Sequence, residues 1–101
     1  MGIFFDDPKP RVTKDEWKLI RGNLRFSHNF TEKQVNQVEE VFRGDLDEKR
    51  FIDKGIDIDE LVKGLRWMRE HMAVHNIPKE KIDVLEVEMM KKIAPYHGGT
   101  L

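Results

Sequence analysis

Carboxylate side chains are concentrated in one segment near the middle of the chain. Residues 45–60 contain seven of them: Asp45, Asp47, Glu48, Asp53, Asp57, Asp59 and Glu60. Carboxylate oxygens are the ligands that Ca²⁺ prefers, and a loop between two helices can gather several of them. The segment therefore raises the hypothesis of a divalent-metal site with Asp45, Asp47 and Asp53 among its ligands.

Part of this segment resembles the calcium-binding loop of the EF-hand family. With Asp45 in the first loop position, Asp47 takes the third and Ile52 the eighth, as in that family. The fifth, sixth and twelfth positions depart from the family, because they hold Lys49, Arg50 and Ile56. Basic side chains inside the loop would also repel a cation. We therefore expect an acidic linker with helix-capping aspartates, and keep the metal site as an alternative.

Two histidines offer a second set of metal ligands. His71 and His75 stand four residues apart, a spacing that lets two imidazole groups on one helical face share a zinc ion. A third ligand would have to come from elsewhere in the chain. Histidines near a helix C-terminus are also favoured by the negative end of the helix dipole. We expect that structural role, and no bound cofactor.

Basic side chains form a stripe in the first third of the chain. Residues 11–26 carry five basic and two acidic side chains, whereas residues 31–60 carry five basic and ten acidic ones. The stripe could follow a nucleic-acid backbone, or it could pair with the protein's own acidic segment. A net charge of -1 does not favour nucleic acid as the partner. The stripe consists of Arg11, Lys14, Lys18, Arg21 and Arg25.

Residue types that catalyse reactions are scarce. The chain has no cysteine, Ser27 is its only serine, and no glycine-rich phosphate loop follows a strand pattern. We therefore expect a protein that is not an enzyme. The absence of cysteine also fits a cytoplasmic setting.

Apolar side chains outside the predicted core suggest a binding surface. Trp67 lies off the apolar stripe of its helix, and a tryptophan at the margin of a core is a good anchor for a partner. Ile3, Phe4 and Phe5 form an apolar cluster near the start of the sequence that could also dock. The favoured hypothesis is a protein-protein interaction module that contacts another protein through Trp67, Ile3, Phe4 and Phe5. The sequence does not indicate its oligomeric state.

Four amphipathic stretches must position these residues. Apolar residues recur at helical spacing, and the pairs Thr13 with Glu16 and Thr31 with Gln34 have the spacing of capping boxes. Asp57 or Asp59 can cap the third helix. The predicted helices cover about 14–27, 32–43, 58–73 and a fourth stretch from Pro78 to before Pro95.

Two turns in the sequence resemble each other. His28 to Val35 aligns with His75 to Ile82, and each turn has an asparagine that tolerates a left-handed backbone followed by an apolar residue. This likeness suggests two helical hairpins, 13–43 and 58–93. Similar turn chemistry without an internal repeat explains the likeness equally well.

The length and composition of the chain limit the number of domains and the size of the core. At 101 residues, 39% hydrophobic and 37% charged, the chain suits one domain with a modest core and no membrane-spanning stretch. We predict an all-α domain over 12–93, built from two antiparallel helical hairpins joined by the acidic linker 44–57. A flexible N-terminal arm, 1–11, precedes it, and a frayed tail, 94–101, follows.

Overall fold

The computed structural model describes residues 10–47 and 55–93. Within these ranges the protein is all-helical, and six helices are present. They are α1 (Lys14–Ser27), α2 (Glu32–Val41), α3 (Arg43–Leu46), α4 (Ile58–Glu70), α5 (Met72–His75) and α6 (Lys79–Ile93). None of the helices in the described ranges is long and apolar enough to span a membrane. Residues 1–9 of the predicted arm 1–11, residues 48–54 of the predicted linker 44–57 and the predicted tail 94–101 lie outside the described residues.

Two of the four predicted helices are each divided, which corrects the predicted count. The second ends at Val41 because Phe42 leaves helical geometry (φ −105°, ψ 12°), and the short α3 follows. The third ends at Glu70 because His71 does the same (φ −125°, ψ 43°). His71 Nδ1 donates a hydrogen bond to the Trp67 carbonyl oxygen at 2.8 Å. This bond satisfies a carbonyl group at the end of α4.

Capping boxes begin three of the long helices. Thr13 and Glu16 form one before α1, and Thr31 and Gln34 form another before α2, as predicted. At α4 the cap is Asp57 rather than Asp59. Asp57 Oδ1 accepts from the Glu60 N–H at 2.8 Å, and Glu60 Oε1 accepts from the Asp57 N–H at 2.9 Å. Each box satisfies backbone donors that the helix start leaves without partners.

The two similar turns have the left-handed backbone conformation that their asparagines predicted. Asn29 and Asn76 both adopt left-handed conformations, with φ of 59° and 58°. The apolar residue after each asparagine, Phe30 or Ile77, is buried. At the second turn His75 Nδ1 accepts from the Ile77 N–H at 2.9 Å, which holds the turn against the core. Shared turn chemistry therefore orients the entry to both α2 and α6.

The apolar stripes of the four long helices meet in one core. α4 packs against α6, and α1 packs against both α2 and α6. Trp17 is buried in this core, where its Nε1 donates to Glu39 Oε1 at 2.8 Å. Met68 and Met89 are fully buried, so they pack inside the protein instead of on a binding surface.

A buried carboxylate joins α1 to α6. Glu88 is 8% exposed and accepts hydrogen bonds from Asn23 Nδ2 (2.8 Å), His28 Nε2 (3.2 Å) and Lys91 Nζ (2.9 Å). Burial opposes ionisation of Glu88. The bonds from Lys91, Asn23 and His28 outweigh it, so the pKa of Glu88 is lowered.

A short antiparallel bridge joins the segments that lead into α1 and α4. The Val12 N–H donates to Ile56 O at 2.8 Å, and the Ile56 N–H donates to Val12 O at 2.9 Å. Gly55 has a φ of +98°, and a Cβ there would lie 2.6 Å from Val12 O. Only glycine fits at this position without strain. The bridge therefore holds the segments before α1 and α4 together.

Candidate interaction groove

An apolar groove opens between the α2–α3 segment and α4. Its volume is about 680 Å³, and its lining is predominantly apolar. We call it the Trp67 groove. It is lined by Gln37, Glu40, Val41, Phe42, Asp45, Glu60, Lys63, Gly64, Trp67, Val74 and His75. The volume lies within the range of sites that bind ligands or partner side chains.

Trp67 forms one end of the groove. Its side chain projects from the margin of α4 and remains 38% exposed. The indole stacks on the His71 ring, with the ring centroids 4.5 Å apart and the planes 14° from parallel. Val74 lies beside it on α5 and is 63% exposed. This end of the groove therefore presents an oriented aromatic ring and an aliphatic side chain to solvent.

The floor of the groove depends on a close approach between Phe42 and α4. A Cβ at Gly64 would overlap the Phe42 ring, so glycine allows that ring to lie close against the helix. Phe42 is thereby 1% exposed while still contributing to the groove lining. The glycine makes the floor shallow and apolar.

The opposite end of the groove is acidic. Asp45 and Glu60 both line this end, and the charge of the Asp45 carboxyl group acts on that of Glu60. Arg11 Nη1 lies 3.8 Å from Glu60 Oε1 and 3.6 Å from Asp57 Oδ2. A single guanidinium group therefore serves this cluster of carboxylates within the described residues.

The electrostatic environment of Glu60 reflects this crowding. Burial raises the pKa of the Glu60 carboxyl group, and the neighbouring Asp45 carboxyl raises it further. The hydrogen bond from the Asp57 N–H acts in the opposite direction but is outweighed. Ionisation of Glu60 is therefore disfavoured at this end of the groove.

The sequence analysis named Trp67 as the partner-binding residue in α4, and the structure places it in this groove. Ile3, Phe4 and Phe5 lie outside the described residues, so their role stays a prediction. The sequence analysis did not identify Val41, Phe42, Gly64 and Val74 as parts of a site. A glycine in the middle of a strong apolar stripe was the signal that could have drawn attention to Gly64, because such a residue permits close packing.

The residues of the alternative metal sites are separated. Asp45 lies at the acidic end of the groove, whereas Asp47 pairs with Lys14 at 3.1 Å. Asp53 lies outside the described residues. Within residues 10–47 and 55–93, no three carboxylate, histidine or cysteine side chains are arranged to hold a metal ion.

The histidine pair is occupied by hydrogen bonds inside the protein. His75 is buried, its Nε2 donates to Met68 O at 2.7 Å, and its Nδ1 accepts from the Ile77 N–H. His71 Nδ1 donates to Trp67 O, so one of its nitrogens is also used. Zinc binding through both residues would have to break the His75 bonds.

Most of the basic stripe is paired with the protein's own carboxylates. Lys14 pairs with Asp47, and Arg21 and Arg25 share Glu32 at 2.6 and 2.7 Å. Arg11 faces Asp57 and Glu60, and Lys18 is exposed. Phosphate groups would have to compete with these pairs. A nucleic-acid interface at Arg11, Lys14, Lys18, Arg21 and Arg25 stays a prediction that these contacts do not support.

Comparisons with protein-family models, with curated proteins and with solved structures each found no match for this chain.

Proposed function

We propose that this protein is a non-catalytic protein-protein interaction module that binds another protein through the Trp67 groove. The observation that carries the proposal is Trp67 itself. A large aromatic side chain remains 38% exposed at the edge of a predominantly apolar groove. Tryptophans in such positions are the side chains that most often dominate the energy of an interface.

The shape of the groove favours a helical segment of the partner. Its walls are the α2–α3 segment and α4, and its floor is the Phe42 ring packed on Gly64. An amphipathic helix laid between such walls can place apolar side chains at successive turns along the floor. Burial of Val74 and the exposed part of Trp67 would then contribute to affinity in proportion to the apolar area removed from water.

We also infer that the long helices form two antiparallel hairpins joined by the acidic linker. The packing of α1 against α2, and of α4 against α6, supports this layout. The groove is then a surface between hairpins, and neither hairpin alone would form it.

Selection from a displayed library of helical peptides tests the proposal. We expect wild-type protein to enrich peptides with apolar residues at i, i+3 or i+4, and i+7. Trp67→Ala should weaken binding of the enriched peptides at least tenfold. Phe26→Ala is the matched control, because Phe26 is an aromatic residue that is 88% exposed on α1 and does not line the groove.

A second variant tests the groove at a position where a substitution is not expected to unfold the protein. Val74→Lys places a charge in the groove at a side chain that is already 63% exposed, so the fold should persist. Circular dichroism and melting curves check that each variant is folded. Enriched peptides that bind Trp67→Ala and Val74→Lys as tightly as wild type would refute the groove as the interaction site.

A further inference from the structure

The charges around the Trp67 groove are unbalanced. Three carboxylates, Glu40, Asp45 and Glu60, face one ammonium group, Lys63. Glu40 is already paired, because Arg43 donates to both of its oxygens at 3.2 and 2.7 Å. Among the residues that the structure describes, the negative charge with the fewest ion pairs around the groove is therefore at Asp45 and Glu60.

Asp45 and Glu60 have little internal compensation among the described residues. The nearest guanidinium nitrogen, Arg11 Nη1, lies 3.8 Å from Glu60 and is shared with Asp57. The two carboxyl groups line the same end of the groove, and their mutual repulsion disfavours full ionisation of both. A cation placed beside them from outside would relieve this repulsion.

The acidic end and the aromatic end of the groove are separated along the axis of α4. Glu60 lies in the first turn of α4 and Trp67 lies seven residues later. At 1.5 Å of rise per residue, the acidic and aromatic ends are separated by about 10 Å. A helix lying along α4 covers the same distance in about two turns. Its side chains can therefore contact both ends at once.

We propose that the partner of the groove is a basic amphipathic helix, with a lysine or arginine beside Asp45 and Glu60 and a large apolar side chain two turns away beside Trp67. This inference rests on the proposed function and adds the chemical class of the partner. The basic residue supplies the charge that the acidic end of the groove lacks. The apolar residue covers the exposed part of the Trp67 and Val74 side chains.

Three matched peptides test the inference. All three are helical peptides with the same apolar face, a phenylalanine anchor and a fluorescent label. They differ only at two positions that lie two turns from the phenylalanine, which are both lysine, both glutamine or both glutamate. Fluorescence anisotropy measures the dissociation constant of each peptide. Each peptide is made in two versions, with the two variable residues either N-terminal or C-terminal to the phenylalanine. We expect the lysine peptide to bind about three- to tenfold more tightly than the glutamine peptide in low salt, and the glutamate peptide to bind most weakly. The preference should shrink at 1 M salt, where the screening length is about 3 Å.

A charge-neutralising variant tests whether Asp45 and Glu60 are responsible. Asp45→Asn with Glu60→Gln should abolish the preference for lysine, measured as the ratio of the dissociation constants of the glutamine and lysine peptides for the same protein. A glutamine at position 60 can keep the capping box, since Gln34 plays that part before α2. Asp15→Asn with Glu80→Gln removes the same charge from exposed positions outside the groove, and should leave the preference intact.

The outcomes separate the two proposals. Equal binding of the lysine and glutamine peptides, or a preference that persists in the Asp45→Asn, Glu60→Gln protein, would overturn the basic partner and leave the interaction module standing. Failure of all three peptides to bind, together with an empty library selection, would overturn the module as well.

Discussion

Phe42 and Gly64 show how a single side chain controls the floor of the groove. The Phe42 ring is buried against the backbone of α4 at the one position where that helix has no Cβ. Glycine ordinarily weakens a helix interior by about 0.5–1 kcal/mol relative to alanine. Here that cost is offset because the ring gains close contact with the helix.

Substituting alanine for glycine should therefore have opposite effects at two helical positions. We expect Gly64→Ala to destabilise the protein by about 1–3 kcal/mol, because the added methyl group overlaps the Phe42 ring. Gly22→Ala meets nothing within 4 Å and should stabilise α1 by about 0.5–1 kcal/mol. Urea unfolding measures both changes. A Gly64→Ala protein as stable as Gly22→Ala would show that Phe42 does not pack as described.

Glu88 makes stability depend on pH in a defined direction. Its pKa is lowered in the folded protein, since the bonds from Lys91, Asn23 and His28 outweigh burial. The ionised carboxylate therefore stabilises the fold above the unfolded pKa, which is about 4.3 for glutamate, and this contribution is lost as the pH falls through the lower folded value.

The Glu88→Gln variant isolates this contribution. We expect it to be about 1–3 kcal/mol less stable than wild type at neutral pH, because hydrogen bonds to a buried charge are lost or weakened. The difference should shrink as the solution is acidified through the glutamate range. Melting curves of both proteins across that range measure it. A difference that stays constant with pH would mean that ionised Glu88 does not stabilise the fold.

At the scale of elements, capping boxes and left-handed asparagines determine where helices begin and turns reverse. These features depend on residues within four positions of each other, so each works with little help from the rest of the fold. Asn76 combines a φ of 58° with the His75 bond to the Ile77 N–H. The turn between α5 and α6 is therefore held by its backbone and by one side chain.

Replacement of Asn76 should test how much the left-handed backbone at this turn depends on the residue type. Asn76→Ala is expected to cost about 1 kcal/mol or more, because a Cβ without a polar group is disfavoured in the left-handed region. Asn76→Gly should be neutral or slightly stabilising, since glycine adopts positive φ freely. Thermal unfolding of the two variants provides the comparison. Equal loss in both would indicate that the asparagine side chain, and not its backbone angle, stabilises the turn.

At the scale of the whole molecule, the bridge between Val12 and Ile56 brings distant parts of the chain to the acidic end of the groove. It places Arg11 beside Asp57 and Glu60, where the guanidinium side chain is only 16% exposed. A half-buried ion pair of this kind is less screened by solvent than one on the surface. Arg11 therefore links the segment before α1 to the first turn of α4.

Arg11 should consequently matter more for stability than an exposed arginine of the same stripe. We expect Arg11→Gln to destabilise the protein by about 1–3 kcal/mol, because carboxylates that remain partly buried lose their cation. Arg25→Gln should change stability by at most about 1 kcal/mol, since Arg25 and Glu32 form an exposed pair. Denaturant unfolding measures both variants. An equal, small effect of the two would show that the Arg11 contacts are as weak as a surface pair.

The sequence by itself determined the helical character, the capping boxes at Thr13 and Thr31, and the left-handed turns at Asn29 and Asn76. These depend on hydrogen bonds and sterics between neighbours in the chain, and neighbouring residues are visible in a sequence. It also singled out Trp67, because the residue lies off the periodic stripe of its own helix.

Only the tertiary structure decided how these elements combine into a groove. The same apolar stripes are compatible with several ways of packing helices, so they did not predict the contact between Phe42 and Gly64. The placement of Arg11 beside Asp57 likewise depends on the bridge between Val12 and Ile56, and Asp45 and Glu60 reach the groove from different helices. Residues that are distant in the chain come into contact only after the helices have packed. The candidate site is formed by residues of this kind.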